Sequence, residues 1–220
     1  LEDAARRRVT AAKRELAEHV IGTGRQMVRV IDELLELSRL RTGKVVPKPL
    51  YFDLQSTVEQ AIGRQRYYAE GKDVRLIHRV EPGTRCHADP LLLCEVLDNL
   101  ISNGIKFSER GGEVQVCSTR GDDGLVVRVQ DRGIGMDEEQ KSLVFEYAAN
   151  ASRTGTGGER GTGLGLPLSR EIVAAHGGTM AVDSEVGLGS TFWMQLPDPR
   201  PVVLVVDDEP NVPALCRYML

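Results

Sequence analysis

Apolar side chains recur at three- and four-residue intervals along the first forty residues, which is the spacing of one face of an α-helix. The seam consists of Val9, Ala12, Leu16, Val20, Thr23, Met27, Val30, Leu34 and Leu37, interrupted only by Thr23. Gly43 is placed to end the helix in the left-handed conformation. A helix of this length has no evident partner within its own chain. We therefore expect a helical bundle or a homodimer through this helix, in preference to a solitary surface helix.

After Pro47 and Pro49 the hydrophobic pattern changes to short alternating strands separated by amphipathic helices. The alternating stretches are LYFD, DVRLIHRV, EVQVCST, LVVRVQD, TMAVDSE and STFWMQLP. Asp53 and Asp89 stand where helix N-caps are expected, and Pro90 follows at the first helical position. This second region is predicted to be a mixed α/β domain that ends at the proline-rich linker PDPRP.

The overall composition indicates a soluble globular chain. Its 220 residues are 41% hydrophobic and 27% charged, which is enough to bury a core. The 28 Lys and Arg against 32 Asp and Glu leave a net charge of -4, and no long basic tract is present. We therefore expect no nucleic-acid partner.

Neither the cysteines nor the apolar runs indicate a metal site or a membrane segment. Cys86, Cys94, Cys117 and Cys216 form no CxxC pair, so neither a zinc site nor a disulfide framework is predicted. The run VVLVV is far shorter than a membrane span, and no signal peptide opens the chain. We expect a cytoplasmic location without membrane contact from this segment. Because the chain begins with Leu1, we treat it as a piece of a longer protein, whose cytoplasmic part it would be.

The helix predicted to start at Pro90 carries an unusual polar stripe. Glu95, Asn99 and Asn103 recur every fourth residue and so lie on one face, with Lys106 beside its end. Amides offer oxygen ligands and N–H donors without adding negative charge, which suits a metal–phosphate group. Taken alone, the stripe is equally compatible with amides that only bond to neighbouring loops.

Two glycine-rich stretches accompany the stripe. In DRGIG, Asp131 lies at a strand end, where its carboxylate can accept a hydrogen bond from an exocyclic amine. Gly133 and Gly135 allow the backbone to approach a flat base. In GERGTGLGL, glycines 161, 163 and 165 directly precede a helix, so backbone N–H groups and the helix N-terminus can meet a polyphosphate. GxxxxGK[ST] is absent, and no hydrophobic strand precedes GTGLGL as a dinucleotide fold requires.

These stretches, in this order, resemble the catalytic domain of sensor histidine kinases, members of the ATPase superfamily shared with gyrase, MutL and the heat-shock chaperones. NLISNGIKF resembles the N-box, DRGIG and GTGLGL the two glycine boxes, VFEY part of the F-box, and GLGSTFWMQLP the closing strand. VIDELLELSRLRTGK is similar to the second helix of the family's dimerisation and phosphotransfer hairpin. The resemblance covers residues 1 to about 197 and implies an α+β fold, a two-layer α/β sandwich with a mixed sheet, preceded by the long bundle helix.

The resemblance also implies a reaction, cofactors and site residues. ATP and Mg²⁺ would bind, and the γ-phosphoryl group would pass to a His. The implied nucleotide-binding residues are Asn99, Asn103, Lys106, Asp131, Gly133, Gly135, Arg160, Gly161, Thr162, Gly163, Leu164 and Gly165. Asn103 would be the Mg²⁺ ligand, and Asn99 and Lys106 the catalytic residues. Hydrolysing relatives have a water-activating Glu at the position of Asn99, so its absence favours phosphoryl transfer over hydrolysis. For Glu95, direct contact and a peripheral role remain equally open.

The sequence departs from the family pattern in three places. Gly104 stands where Ala is usual, which should loosen the helix slightly. Tyr147-Ala148 replaces the second aromatic of the F-box. None of the four histidines, at positions 19, 78, 87 and 176, is followed by the phosphoacceptor pattern. We therefore expect His19 to be a surface or bundle residue and the acceptor helix to lie upstream of Leu1.

The last segment, PVVLVVDDEP, resembles the opening strand and acidic pair of a response-regulator receiver domain. In an intact receiver, Asp207 and Asp208 would hold Mg²⁺ beside a phosphoaccepting Asp; a stray hydrophobic tail is the alternative. The implied organisation is 1–43, a hairpin helix; 44–197, the ATP-binding domain; 198–201, a linker; and 202–220, the start of a receiver. Implied partners are a second copy, the phosphoacceptor helix and the receiver. The rival functions are a related ATPase or Ser/Thr-directed kinase and a nucleotide-sensing scaffold without kinase activity.

Overall fold

The computed structural model describes residues 2–121, 123–147, 154–159 and 161–198. Its helices are α1 (Glu2–Arg41), α2 (Leu54–Lys72), α3 (Pro90–Phe107), α4 (Glu138–Leu143) and α5 (Gly165–Ala175). Its strands are β1 (Leu50–Asp53), β2 (Arg75–Arg79), β3 (Arg85–Ala88), β4 (Glu113–Gly121), β5 (Gly124–Asp131), β6 (Thr179–Glu185) and β7 (Gly189–Leu196). Arg160, and the predicted receiver segment with Asp207 and Asp208, lie outside the described residues.

Five strands form a mixed sheet in the order β2-β4-β5-β7-β6. The β2–β4 pair is parallel and the other pairs are antiparallel. Helices α2, α3 and α5 contact the strands of this sheet, and alternate strand residues such as Val114, Val127 and Met194 are buried in the core. The predicted α+β fold, a two-layer sandwich with a mixed sheet, is confirmed. Strands β1 and β3 form a separate two-stranded antiparallel sheet.

Side chains cap the two helices as predicted. Asp53 accepts a hydrogen bond from the backbone N–H of Gln55, and Asp89 accepts from those of Leu91 and Leu92. These bonds satisfy amides that have no partner inside the helix. Two elements were not predicted. Strand β3 is only four residues long, and α4 begins at a capping box formed by Asp137 and Gln140.

The C-terminal end of α1 packs against the α/β domain, mainly against α5. Leu37 and Leu40 are each only 8% exposed, and the Arg41 guanidinium forms a 2.9 Å ion pair with Glu171 of α5. The expectation that α1 has nothing to pack against in its own chain is therefore wrong at this end. Farther toward the N-terminus its seam is exposed, with Leu16, Val20, Met27 and Leu34 each at least 47% accessible. None of the described helices is long and apolar enough to cross a membrane.

Candidate functional site

A cavity of about 1210 Å³ lies between α3, the end of β5 and the loop that leads into α5. Its walls bring together most of the residues singled out from the sequence. Those that line it are Asn99, Asn103, Lys106, Asp131, Gly135, Gly161, Thr162, Gly163 and Gly165. Gly133 and Leu164 adjoin the cavity without lining it. Segments more than sixty residues apart in the chain thus form one site.

Helix α3 presents Asn99, Asn103 and Lys106 to the cavity because its opposite face is buried in the core. Val96, Leu97 and Ile101 are fully buried. The Asn99 side-chain nitrogen makes two long hydrogen bonds to α5, 3.5 Å to the Gly165 carbonyl and 3.4 Å to the Ser169 hydroxyl. Asn99 therefore links α3 to the start of α5, while Asn103, one turn farther along, lines the cavity.

Glu95 contacts α1, whereas the two asparagines line the cavity. It is absent from the cavity wall and faces α1, where it is hydrogen-bonded to Glu36. Burial raises the pKa of Glu95 to about 7, and the neighbouring carboxylates of Glu36, Glu33 and Asp98 add to the effect. The structure thus favours a peripheral role for Glu95, at the α1–α3 interface.

Asp131 ends β5 and is only 5% exposed. Its Oδ1 accepts hydrogen bonds from the backbone N–H groups of Gly133, at 2.8 Å, and Ser190, at 3.2 Å. Burial raises the pKa of Asp131, and these two bonds partly offset the increase. Its Oδ2 has no hydrogen-bond partner among the described residues, so this oxygen can accept from a ligand amine. Gly133 acts on the site through Asp131.

Beyond Asp131 the wall is apolar. Ile134, Met136, Leu143, Val144 and Phe192 line this part of the cavity. The backbone between them passes very close to β6: a Cβ at position 135, where φ is +65°, would lie 1.9 Å from the carbonyl oxygen of residue 185. Only glycine fits at this position. We call this part of the cavity, next to the buried carboxylate of Asp131, the apolar slot; the polar side chains of Asp137, Glu139 and Gln140 also line the cavity.

The glycine loop of residues 161–165 forms another wall. Leu164 is the N-cap of α5, and no side chain caps this helix. The first-turn amides are therefore not blocked by a side-chain cap and carry the partial positive charge of a helix N-terminus. The Thr162 hydroxyl accepts from the Leu164 N–H at 3.2 Å and donates to Glu33 Oε2 at 2.5 Å.

Lys106 lies in the last turn of α3 and is partly buried in the cavity wall. Burial lowers the pKa of its ammonium group, the Glu159 carboxylate partly offsets this decrease, and the Lys72 ammonium adds to it. Its Nζ lies 4.6 Å from the centre of the Phe107 ring. The cavity thus contains a cation that an anionic ligand would stabilise.

Eight charged residues of the cavity wall were missed in the sequence: Asp98, Glu109, Arg110, Asp137, Glu139 and the three described next. Lys72 looks like an ordinary final-turn lysine of α2, Glu159 lies in a polar loop, and Glu33 is one of many charged residues on α1. No local pattern distinguishes them from solvent-exposed residues. Only the packing of α1, α2 and the loop around α3 brings them to the cavity.

One side-chain amide in the cavity wall is compatible with a metal ion that arrives with phosphates. Among the described residues there is no group of three or more His, Cys, Asp or Glu that could hold a metal ion. Mg²⁺ commonly keeps several waters and binds one or two protein oxygens together with substrate phosphates. The amide oxygen of Asn103 in the cavity wall is of this kind.

Both a family model and individual known proteins match this chain. Residues 88–200 match the family model described as histidine kinase-, DNA gyrase B- and HSP90-like ATPase. Over 184 residues, 84% of the chain, the sequence is 34% identical to the sensor-like histidine kinase SenX3 of Mycobacterium bovis, and it spans 45% of that protein's length.

Two solved structures share the fold. Full-length ShkA in complex with AMPPNP matches with a TM-score of 0.66 and 25% identity, over 78% of this chain and 35% of the ShkA chain. ThkA in complex with the response regulator protein TrrA matches with a TM-score of 0.63 and 20% identity, over 78% of this chain and 47% of the ThkA chain. The latter likeness shows the fold alone.

Proposed function

Because this chain belongs to the family of histidine kinase-, DNA gyrase B- and HSP90-like ATPases, we propose that it is the ATP-binding catalytic part of a sensor histidine kinase. The observation that carries the proposal is the single cavity that contains Asn99, Asn103 and Lys106 of α3, Asp131 and the glycine loop. In the proposed reaction, the γ-phosphoryl group of ATP passes to a His imidazole on a helix upstream of this chain. The likeness to SenX3 supports this assignment.

The adenine ring is assigned to the apolar slot. Asp131 Oδ2 accepts from the exocyclic amine, while Oδ1 stays bonded to the backbone N–H groups of Gly133 and Ser190. Glycine at position 135 lets the backbone pass against β6 while it lines this part of the cavity. A buried carboxylate held by two amides is pre-organised, so little ordering is needed on binding.

The phosphates are assigned to the opposite part of the cavity. Backbone N–H groups of glycines 161, 163 and 165 would bind them at the α5 N-terminus, together with Lys106. The Leu164 N–H, which donates to the Thr162 hydroxyl, would have to exchange that partner for a phosphate oxygen. Arg160 lies outside the described residues and stays a sequence-based proposal, as does the contribution of Thr162. The AMPPNP complex of ShkA supports a nucleotide in this fold.

Mg²⁺ is assigned to the amide oxygen of Asn103, and when bound with ATP it neutralises phosphate charge. Asn99, one turn earlier, offers no carboxylate to activate a water, and its amide is directed to α5. Of the carboxylates that line the cavity, Glu33 is hydrogen-bonded to Thr162 and Glu159 is ion-paired with Lys72; Asp98, Glu109, Asp137 and Glu139 line it too. The amide at position 99, in place of a carboxylate, supports transfer to a protein acceptor over hydrolysis.

The remaining proposed partners would bind the seam of α1 and the segment of residues 202–220. The exposed seam of α1, including Leu16, Val20 and Met27, is assigned to a homodimer contact. Residues 202–220, with Asp207 and Asp208 as Mg²⁺ ligands in an intact receiver, are assigned to the start of a receiver domain. The ThkA structure contains the response regulator TrrA, which supports a partner of this class. The proposed location is the cytoplasm.

The proposal is tested by nucleotide binding and phosphoryl transfer in parallel. With Mg²⁺ and labelled ATP, the chain should phosphorylate a supplied helical hairpin that carries the phosphoacceptor pattern, producing acid-labile phosphohistidine, and should leave its own His19 unlabelled. Asp131→Asn keeps an oxygen for the two backbone amides but turns an acceptor into a donor. It should weaken ATP binding by roughly 10- to 100-fold.

The outcomes separate the rival functions. ATP turnover without transfer to the hairpin would favour the related ATPase. ATP binding without turnover or transfer would favour the nucleotide-sensing scaffold. Equal ATP affinity of the wild type and Asp131→Asn, measured by calorimetry, would contradict the adenine assignment.

A further inference from the structure

Lys72, the last residue of α2, is a nearly buried lysine whose ammonium group is fully occupied. It is 9% exposed. Its Nζ donates to the carbonyl oxygens of Ile105, at 2.9 Å, and Lys106, at 2.6 Å, and forms a 2.8 Å ion pair with Glu159 Oε1. An ammonium group has three N–H donors, and these three acceptors match them. Lys72 thus has no donor left for a ligand.

The two carbonyls that Lys72 binds are at the C-terminal end of α3. The last carbonyls of a helix have no partner inside the helix, and a helix end without such partners frays. Lys72 supplies a partner from α2 for two of them. The Lys106 carbonyl also accepts from the backbone N–H of Thr156, at 3.1 Å. The last turn of α3 is therefore capped from two other parts of the chain.

Glu159 organises the segment that provides the second cap. Its Oε2 accepts from the N–H of Gly157 at 2.8 Å, and its carbonyl oxygen accepts from the N–H of Gly155 at 2.8 Å. Burial acts to raise the pKa of Glu159, but hydrogen bonds from Lys72 and the backbone outweigh it, and the pKa lies below its ordinary value. Residues 154–159 thus form a closed turn, which we call the docked turn, held to α2 by one ion pair.

Lys106 lies where these contacts meet. Its carbonyl oxygen is shared by Lys72 and Thr156, and its side chain extends into the cavity wall beside the docked turn. A Cβ added at residue 155 would lie 2.5 Å from Lys106 Cγ, which shows how closely the turn covers this side chain. If the turn separates from α3, the last helical turn loses partners and Lys106 loses its support.

We propose that Lys72 and Glu159 are positioning residues that hold the docked turn on α3 and thereby place Lys106 at the phosphate part of the cavity. The inference rests on the proposed nucleotide site and deepens it. Neither residue needs to touch the nucleotide, because Lys72 has its three acceptors and Glu159 is bonded on both oxygens. An alternative role is purely electrostatic, in which each residue acts on the phosphates through its charge.

Substitution of Glu159 separates the two roles, because they predict opposite signs. Glu159→Gln removes a negative charge from the cavity wall, so an electrostatic role predicts tighter ATP binding. The positioning role predicts weaker binding, because the docked turn loses its ion pair to α2 and keeps the hydrogen bonds of Thr156 to the carbonyls of Lys106 and Ser108. Lys72→Met should also weaken binding. We expect about a five- to tenfold loss of ATP affinity for Glu159→Gln and at least that loss for Lys72→Met, which also removes the hydrogen bonds to two carbonyls of α3. The double variant should lose no more than Lys72→Met, because the ion pair is already absent there.

Two further measurements exclude general damage to the fold. Hydrogen exchange of the Thr156 amide in the nucleotide-free protein should accelerate in both variants, while amides of β5 and β7 keep their protection. Affinity for adenosine should stay unchanged, because adenosine has no phosphate for Lys106 to bind. The matched control is the Lys141–Glu138 ion pair of α4, neither residue of which lines the cavity. Lys141→Met and Glu138→Gln should leave ATP affinity unchanged.

Each possible result supports or overturns the positioning role of Lys72 and Glu159. Tighter or unchanged ATP binding by Glu159→Gln overturns the positioning role. An equal loss of adenosine and ATP affinity, or unchanged exchange at Thr156, overturns it as well. If Lys72→Met does not fold, Glu159→Gln alone decides, since the Glu159 side chain is 39% exposed and its replacement is isosteric. Wild-type protein that binds no ATP overturns both proposals, whereas a normal wild type with an impaired Asp131→Asn variant leaves the proposed function standing.

Discussion

The hydroxyl of Thr162 donates a 2.5 Å hydrogen bond to Oε2 of Glu33, which joins the glycine loop of the cavity to the long helix α1. The contact spans 129 residues of sequence and places a carboxylate of α1 in the cavity wall. The same loop is the proposed phosphate site. An anion from α1 and the phosphates of a nucleotide would therefore compete for one region of positive potential.

Neutralising Glu33 should strengthen nucleotide binding. Glu33→Gln keeps an oxygen for Thr162 but removes the charge, so ATP should bind roughly two- to fivefold more tightly at low ionic strength, as expected for a partly solvated charge pair. The gain should shrink at high salt. Calorimetry at two salt concentrations measures both effects. Glu36→Gln is the control, because Glu36 also lies on α1 but does not line the cavity. An affinity gain that salt does not change would speak against this electrostatic account.

The raised pKa of Glu95, caused first by burial and then by the neighbouring Glu36 carboxylate, should make stability depend on pH. The folded-state pKa of Glu95 is about 7, against 4.5 for an ordinary Glu. Between these values the folded protein binds more protons than the unfolded chain, so the free energy of unfolding falls as pH rises from about 4.5 to 7. Glu95→Gln removes this contribution. Its melting temperature relative to wild type should therefore increase between pH 5 and pH 8. A difference that stays constant with pH would contradict the raised pKa of Glu95.

Asn103 should couple magnesium to ATP. Asn103→Ala removes the proposed ligand, so the gain in ATP affinity that Mg²⁺ provides should fall by on the order of tenfold, and ATP should lose the same factor in its effect on Mg²⁺ binding. ADP binding without magnesium should survive. Asn103→Asp keeps an oxygen but puts an anion near the phosphates, and both variants should lose phosphoryl transfer. A lower melting temperature with an unchanged magnesium effect would instead identify Asn103 as a structural cap.

Gly104 should resist replacement by alanine although alanine is the better helix former. A Cβ at this position would lie 2.9 and 3.0 Å from the two methyl groups of Val114 on β4. Overpacking of this kind costs about 1–3 kcal/mol, against a gain of about 1 kcal/mol in helix propensity. Gly104→Ala should therefore lower the free energy of unfolding by about 1 kcal/mol in urea titrations. In a Val114→Ala background the same change should become neutral or stabilising; an unchanged cost there would exclude this clash as the cause.

Local signals in the sequence were sufficient for elements that local interactions determine. The N-caps at Asp53 and Asp89, and the alternation in β4 and β5, are visible in short windows, and the structure confirms them. Strand β3, with the sequence RCHA, has no such signal, because its pairing with β1 makes it a strand. The capping box of α4 was present in the sequence as Asp137 and Gln140 but was overlooked.

The residues of the site also fall into those that a local sequence pattern predicts and those that only long-range packing places. Asn103 and Asp131 lie in motifs whose order in the chain points to a nucleotide, and the structure places both in one cavity. Lys72 and Glu33 could not be recognised, because a lysine at the end of one helix and a glutamate on another have the same local pattern when solvated. Their positions depend on how α1 and α2 pack around α3, which is a long-range property.

Strands β5 and β7 are hydrogen-bonded neighbours, with Gln130 opposite Thr191, although the chain between them includes the whole glycine loop. In that connection, the Tyr147 hydroxyl donates a 3.0 Å hydrogen bond to Glu171. The docked turn, residues 154–159, is hydrogen-bonded to the end of α3. The register of β5 against β7 is therefore set by the pairing of the two strands themselves and not by the path of the chain between them.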